Sequence, residues 1–373
     1  MQNIYLDYNA STPIDSQVIS EMVPYFSKVY GNPSSSHWAS KDAKQLIITA
    51  RSQVASLLGC QPDEVIFTSG GSESNNHALK GVYTQLSAKG NHIITSKIEH
   101  PAIMQPCHYL ESIGAEISYV DVDQYGKVNP KDVEKEMKDT TILISIMHAN
   151  NEVGTIQPIE EISEIAKKYN VLLHTDAAQS IGKITANVDK LGVDLLSVAG
   201  HKLYAPKGVG ALYVRKGTKI ASFIHGAGHE DGLRAGTENT PYIVALGKAC
   251  ELADSYMTDN KIVQLRDYFW KELNDMFKEQ IVVNGDLKQC LPNTLNVSFV
   301  GQEGAKILEQ IPEIAASTGS ACHSGTVELS SVLEAMGITK HVGMGTIRFS
   351  LGRYTTKDEI VQVLALMKER ISI

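Results

Sequence analysis

The feature that most constrains this chain is a regular alternation of strand-like and helix-like segments between residues 64 and 214. Glu64-Val65-Ile66-Phe67-Thr68 reads as a strand, and residues 73–89 as the helix after it. Further strand-length apolar runs are His92-Ile93-Ile94-Thr95, Ile117-Ser118-Tyr119-Val120, residues 142–147, Val171-Leu172-Leu173-His174, Leu195-Leu196-Ser197-Val198 and Gly210-Ala211-Leu212-Tyr213-Val214. Helices are expected over 101–112, near 130–138, and around Ile162, Ile165, Ala166 and Tyr169, which share one face. Near-continuous apolar strands interleaved with amphipathic helices must be buried on both sides. That calls for a mostly parallel sheet between two helical layers.

The pattern changes after residue 240. A long helical stretch over 242–278 leads into strands at Ile281-Val282-Val283, 294–299 and 346–351, and the last helix puts Ile360, Val363, Leu364, Met367 and Ile371 on one face. The expected fold is therefore α/β: a large, mostly parallel-sheet domain over 14–253, and a smaller α+β domain from 1–13 and 254–373. No linker or low-complexity tract separates them, so they should pack closely.

Composition removes several functional classes. Of 373 residues, 43% are hydrophobic and 20% charged, which suits a folded globular protein and excludes general disorder. A net charge of −8 gives no basic stripe for nucleic acid. The apolar runs are far shorter than the ~20 residues of a membrane span. Met1-Gln2-Asn3-Ile4-Tyr5-Leu6-Asp7 lacks the basic start and apolar run of a signal peptide, so a cytoplasmic protein is expected. The five cysteines, Cys60, Cys107, Cys250, Cys290 and Cys322, are odd in number, scattered and free of CxxC pairs, which suggests neither a disulfide framework nor a zinc site. His225 and His229 have HxxxH spacing, but no third ligand or glutamate base accompanies them.

Three segments place polar residues where strands end, the region that binds ligands in open α/β sheets. Thr68-Ser69-Gly70-Gly71-Ser72-Glu73 lets the backbone approach a ligand and offers a helix N-terminus to an anion. In His174-Thr175-Asp176-Ala177-Ala178-Gln179, the aspartate suits a cationic ring nitrogen. In Ser197-Val198-Ala199-Gly200-His201-Lys202, a lysine follows an apolar strand, a setting that favours a neutral, nucleophilic amine. Each has a plainer reading alone: a capped loop, a locally bonded carboxylate, a surface lysine. In this order they supply what pyridoxal 5′-phosphate needs, namely a phosphate cradle, a ring partner and an aldehyde partner.

With these motifs the chain resembles the cysteine desulfurases, of the class V aminotransferase type among fold-type I pyridoxal-phosphate enzymes. The likeness also runs through Tyr5-Leu6-Asp7-Tyr8-Asn9-Ala10, Gly31-Asn32-Pro33-Ser34, Glu99-His100 and Met147-His148-Ala149-Asn150-Asn151-Glu152. It continues in Arg234-Ala235-Gly236-Thr237 and Arg348-Phe349-Ser350-Leu351-Gly352-Arg353. The resemblance implies that Lys202 holds the cofactor covalently, Asp176 pairs with its ring nitrogen and Gln179 bonds its ring hydroxyl. His100 is implied to stack on the ring and move protons, and Gly71, Ser72 and His201 to hold the phosphate, with Thr237 reaching in from a second subunit of a homodimer. Asn151 is implied to contact ring or substrate, and Arg348 to grip the substrate carboxylate. Many desulfurases carry serine where this chain has Ala199, which implies slightly looser phosphate binding.

Ser317-Thr318-Gly319-Ser320-Ala321-Cys322-His323-Ser324-Gly325-Thr326 is a run of small residues, expected to form an exposed, mobile loop. It resembles the active-site segment of the longer-loop desulfurases, in which the cysteine accepts sulfur from L-cysteine as a persulfide. The other four cysteines read as small buried hydrophobes. Two neighbouring activities remain open. A selenocysteine lyase uses the same residues, and a class V aminotransferase would share the cofactor site but leave Cys322 without a purpose. The sulfur acceptor, whether a protein of iron–sulfur cluster assembly or another carrier, is not encoded in these motifs. The chain stops sooner after Cys322 than desulfurases that dock a cluster scaffold.

Overall fold

In this computed structural model, which describes residues 3–257, 260–323 and 326–372 with side chains outside 320–327, seven strands form one sheet. They are β1 (Val65–Thr68), β2 (His92–Ser96), β3 (Glu116–Val120), β4 (Thr141–Ser145), β5 (Leu172–Asp176), β6 (Leu195–Ala199) and β7 (Gly210–Val214). Their spatial order is β1-β7-β6-β5-β4-β2-β3, parallel except for β7, which runs antiparallel to both β1 and β6. Strands β2, β4, β6 and β7 are buried along their whole length, as apolar runs covered on both faces must be. Only β3, at the edge, shows solvent to several residues.

Helices α1 (Gly71–Leu86) and α2 (Pro101–Ser112) cover one face, packing Ala78, Leu79, Val82, Ile103 and Leu110 against Ile93, Leu143 and Leu212. The opposite face is covered by Lys41–Leu58, Ile159–Tyr169 and Thr240–Tyr256, around Ile47, Ile162, Leu246 and Leu196. The small unit has its own apolar cluster, in which Ile4 and Leu6 join Phe269, Leu295, Phe299, Phe349 and Met367. Its sheet uses β8 (Ile281–Val283), β9 (Thr294–Phe299), β10 (Ser317–Thr318) and, after the segment described next, Thr346–Ser350.

Two expectations need correction. The helical stretch over 242–278 is two helices, Thr240–Tyr256 and Lys261–Phe277. The first packs into the cluster of the large sheet and the second into that of the small one, so a single straight helix could not satisfy both. The run expected as an exposed, mobile loop is not wholly loop, since it enters two strands, β11 (Ser320–His323) and β12 (Thr326–Leu329), paired antiparallel with Cys322 opposite Val327. A return segment of Thr326, Val327 and Leu329 favours strand pairing even where the first arm is made of small residues. Ser324, Gly325 and the side chain of Cys322 lie outside the described residues.

Candidate active site

The carboxyl ends of β1, β2, β4, β5 and β6 open onto a cavity of about 640 Å³. Gly71, Ser72, His100, Asn151, Asp176, Gln179, His201, Lys202 and Arg348 all line it, together with Asn9 and Asn75. Thr237 does not: it is exposed, on a loop whose neighbour Arg234 is tied to Glu73 by a 2.8 Å ion pair. The base of the Cys322 segment is anchored to chain neighbours of two lining residues, Asn151 and Arg348. Gly319 N–H donates to Thr346 at 3.0 Å, and Ser330 Oγ donates to Glu152 at 2.6 Å.

Local structure explains how each group is presented. Strand β6 ends in a single 3₁₀ turn, Gly200–Lys202, followed by Tyr204 at φ 63°, a left-handed conformation costly for a non-glycine residue. Three contacts hold it there: Tyr204 N–H to Thr12 Oγ1 at 2.9 Å, Arg353 N–H to the phenol oxygen at 2.6 Å, and the Arg353 guanidinium 4.2 Å from the ring centre. This tight turn aims Lys202 inward. Its Nζ donates to the carbonyls of Asn9 and, at 2.8 Å, Ala10. Burial lowers its pKa to about 8, aided by the Arg348 cation and opposed by Asp176 and Asp7.

Asp176, the last residue of β5, is buried with both oxygens pinned. Oδ2 accepts from Asn75 Nδ2 at 2.7 Å and Oδ1 from Ala178 N–H at 2.9 Å. His100 caps α2, its Nδ1 accepting from Ala102 N–H at 3.0 Å. The neutral ring therefore carries its proton on Nε2. The imidazole is reached by solvent through the open cavity, yet protein surrounds it. Burial lowers its pKa, Asp176 raises it and Lys202 lowers it. His201 is pushed down to about 4, first by burial and then by Lys202, Lys207 and His100, so it sits neutral.

Arg348 is already engaged on both terminal nitrogens: Nη1 donates to Asn151 O at 2.9 Å, Nη2 to Asp7 Oδ1 at 2.7 Å and Ser317 Oγ at 2.9 Å. Its Nε is buried and has no hydrogen-bond partner among the described residues, while the residue lines the cavity.

The cavity fits pyridoxal 5′-phosphate at both ends. Helix α1 begins at Gly71 with no side-chain cap, so its first N–H groups are free for an anion. A Cβ on Gly71 would lie 3.1 Å from the Ala199 side chain, and Gly210, which lets β7 pass close by, has room for none, since its Cβ would sit 2.4 Å from Val198 O. Across the cavity stand a buried carboxylate and an amine of lowered pKa. These features define the class: an α/β enzyme built around a pyridoxal-phosphate site.

A family model for class-V aminotransferases matches residues 4–363. The cysteine desulfurase IscS of Dictyoglomus turgidum is 50% identical, the match covering 99% of this chain and 94% of that one. The IscS of Methanosarcina thermophila is 46% identical over 98% of this chain and 91% of its own length. Among solved structures, a NifS-like protein superposes with a TM-score of 0.93 at 39% identity, covering 99% of both chains. A structure of SspA in complex with cysteine superposes at 0.84 and 38% identity, covering 95% of this chain and 100% of that one. The chain belongs to the class-V aminotransferase family and, within it, to the cysteine desulfurases, which are pyridoxal-phosphate-dependent enzymes.

Sequence reasoning brought together the main cavity residues but gave no role to Asn9, Asn75 or Asp7, whose contacts hold Lys202, Asp176 and Arg348. Asp7 and Asn9 lie inside a quoted motif and Asn75 two residues beyond one; only tertiary approach reveals what they touch. The Ala199 side chain faces Gly71 at the anion end. Ala199→Ser is accordingly expected to tighten cofactor binding by about 2- to 10-fold, the value of one added hydrogen bond. Equilibrium titration of the apo-protein with pyridoxal phosphate measures it.

Proposed function

We propose that this chain converts L-cysteine to L-alanine and places the sulfur on its own Cys322 as a persulfide. The observation that carries this reading is the convergence on one cavity of an amine brought down to about 8, a pinned carboxylate and the Arg348 cation. The cysteine desulfurase relatives and the cysteine complex of SspA support the substrate.

When bound, the cofactor supplies an aldehyde for amines and an electron-poor ring that accepts the electrons of the substrate Cα–H bond. Lys202 Nζ would hold it and, once freed, take the Cα proton. Asp176, kept in place by Asn75 and the Ala178 N–H, would pair with the ring nitrogen. Gly71, Ser72 and neutral His201 would hold the phosphate, with Thr237 of the partner subunit completing the cradle. Gln179 would donate to the ring oxygen. Arg348 and Asn151 would take the substrate carboxylate, the Asp7 contact fixing the guanidinium plane. His100 would pack on the ring and move protons. The Cys322 thiolate then attacks the substrate sulfur. The substrate C–S bond breaks with its electrons left on Cβ, which takes a proton, and Lys202 returns a proton to Cα to give alanine.

The homodimer in this reading is supported by exposed Val23, Phe26, Tyr30 and Trp38. Phe26 meets the Tyr242 ring at 6.2 Å, and that ring lies beside Gly208 at the edge of the cavity. The reading also includes a cofactor domain over 14–253 and a small domain of 1–13 and 254–373, supported by their separate apolar clusters. No helix among the described residues is long and apolar enough to cross a membrane, and the reading takes the protein to be cytoplasmic, serving a separate acceptor protein. Purified protein given cofactor, reductant and L-cysteine is expected to release alanine and sulfide in equal amounts. Pyruvate-dependent amino transfer without sulfide would overturn the reading, and rates on L-selenocysteine separate it from a lyase.

A further inference from the structure

Lys183 lies four residues after Gln179, in the turn that follows β5, and the proposed chemistry gives it no part. Its Nζ donates to Gln179 Oε1 at 3.0 Å and to Asn9 Oδ1 at 3.1 Å. Among the described residues these are its only partners, and neither is charged. Burial, together with the facing cations Lys202 and Arg348, drives its pKa well below the usual value. Its two hydrogen bonds go one to each of these acceptors.

Gln179 lines the substrate cavity and Lys183 does not. Lys183 lines a second cavity of about 510 Å³ instead, so it meets Gln179 from outside the lining of the first. A carboxamide presents an acceptor or a donor depending on which way it is turned. With Oε1 taken by Lys183, Nε2 is the end of the carboxamide that donates. One of its N–H groups donates at 2.8 Å to Asn9 O, the same carbonyl that receives Lys202 Nζ. The other has no acceptor among the described residues, on a side chain that lines the cavity. Asn9 cannot yield, because its Nδ2 donates to Thr294 Oγ1 at 2.8 Å and Asn151 O at 3.2 Å, and Asn293 Nδ2 shares its Oδ1 at 3.0 Å.

We propose that Lys183 is a positioning residue: by holding Gln179 Oε1 and Asn9 Oδ1 from outside the cavity lining, it fixes the Gln179 carboxamide so that a donor faces the ring oxygen of the bound cofactor. The inference rests on the functional reading above and deepens it. It assigns the selectivity for an anionic ring oxygen to a residue that touches neither cofactor nor substrate.

The test reads the visible absorption of the bound cofactor against pH without substrate. Lys183→Met keeps the length of the stem and removes the N–H donors. The midpoint is expected to rise by about half a pH unit, the worth of one hydrogen bond. A ring oxygen without its donor keeps more negative charge and holds more tightly the proton it shares with Lys202. Gln179→Leu is expected to shift the midpoint the same way, and adding Lys183→Met to it should move it no further. A second readout needs no cofactor. In the apo-protein, Lys183→Met and Gln179→Leu should each lower the melting temperature, and the double variant should lose less than the sum of the two, because both remove the same contact. A wild type that takes up no cofactor overturns the functional reading itself. A normal wild-type band overturns this inference alone if the Lys183→Met midpoint is unmoved, if the shift is undiminished in the Gln179→Leu background, or if the two melting losses add in full.

Discussion

Cys322→Ala is expected to lower sulfide and alanine formation from L-cysteine by at least about 10³-fold, the scale of losing a nucleophile that acts in concert with its site. The visible band of the cofactor should stay at wild-type intensity, because the residues proposed to hold it sit on the large sheet and its connections. The other four thiols set the contrast. Burial pushes Cys60, Cys107 and Cys250 up to about 12 and Cys290 up to about 11, so each stays protonated at neutral pH. Cys107 and Cys250 are fully enclosed, and Cys60 packs against the cluster of the large sheet. Cys290 lies under Arg266, whose Nη1 reaches its sulfur at 3.2 Å. Replacing any of these four by alanine should leave turnover within about twofold, any loss reflecting packing alone. Parallel assays of sulfide and alanine across the five variants read the contrast. Equal losses at Cys322 and Cys290 would count against a sulfur-accepting role for position 322.

Lys202→Ala is expected to abolish turnover and the absorption band of covalently held cofactor together. The wild-type apo-protein makes a companion case from the direction of the lysine's shift. With its amine lowered to about 8, Lys202 is an ammonium without a lone pair below that pH and a free nucleophile above it. Cofactor uptake by the apo-protein should therefore speed up with rising pH through about 8, fall roughly tenfold per unit below it, and level off above. Stopped-flow absorbance after mixing with pyridoxal phosphate measures the profile. An uptake rate flat across this range would show that the amine is not the controlling group.

The large sheet was legible because each of its strands carries a short apolar run without helical spacing, as in Ile93-Ile94, Leu172-Leu173 and Leu195-Leu196. Residues 101–112 and 210–214 carry their boundaries in the sequence: Pro101 opens a helix after a capping His100, and Gly210 begins a strand where no Cβ fits. The break between Tyr256 and Lys261 was not legible, since both halves are amphipathic and periodicity says nothing about which core each half joins. The same limit applied at the site. Lys202 and Asp176 stand out because each follows a buried strand, where an unpaired charge is costly. Asn75 and Asn9 do not stand out, because their importance comes from partners 101 and 193 residues away. Lys183 is hidden for the same reason: in sequence it is one more lysine, and only the packing shows an amine with two neutral acceptors.

The decisive measurement is a short incubation of the cofactor-loaded protein with L-cysteine, without reductant, followed by peptide mass spectrometry. The peptide containing Cys322 should gain the mass of one sulfur, removable by a reducing agent, while one alanine appears per sulfur gained. The peptides of Cys60, Cys107, Cys250 and Cys290 should stay unchanged. Alanine formed with no added sulfur on Cys322, or sulfur found on another cysteine while Cys322 stays bare, would contradict the mechanism.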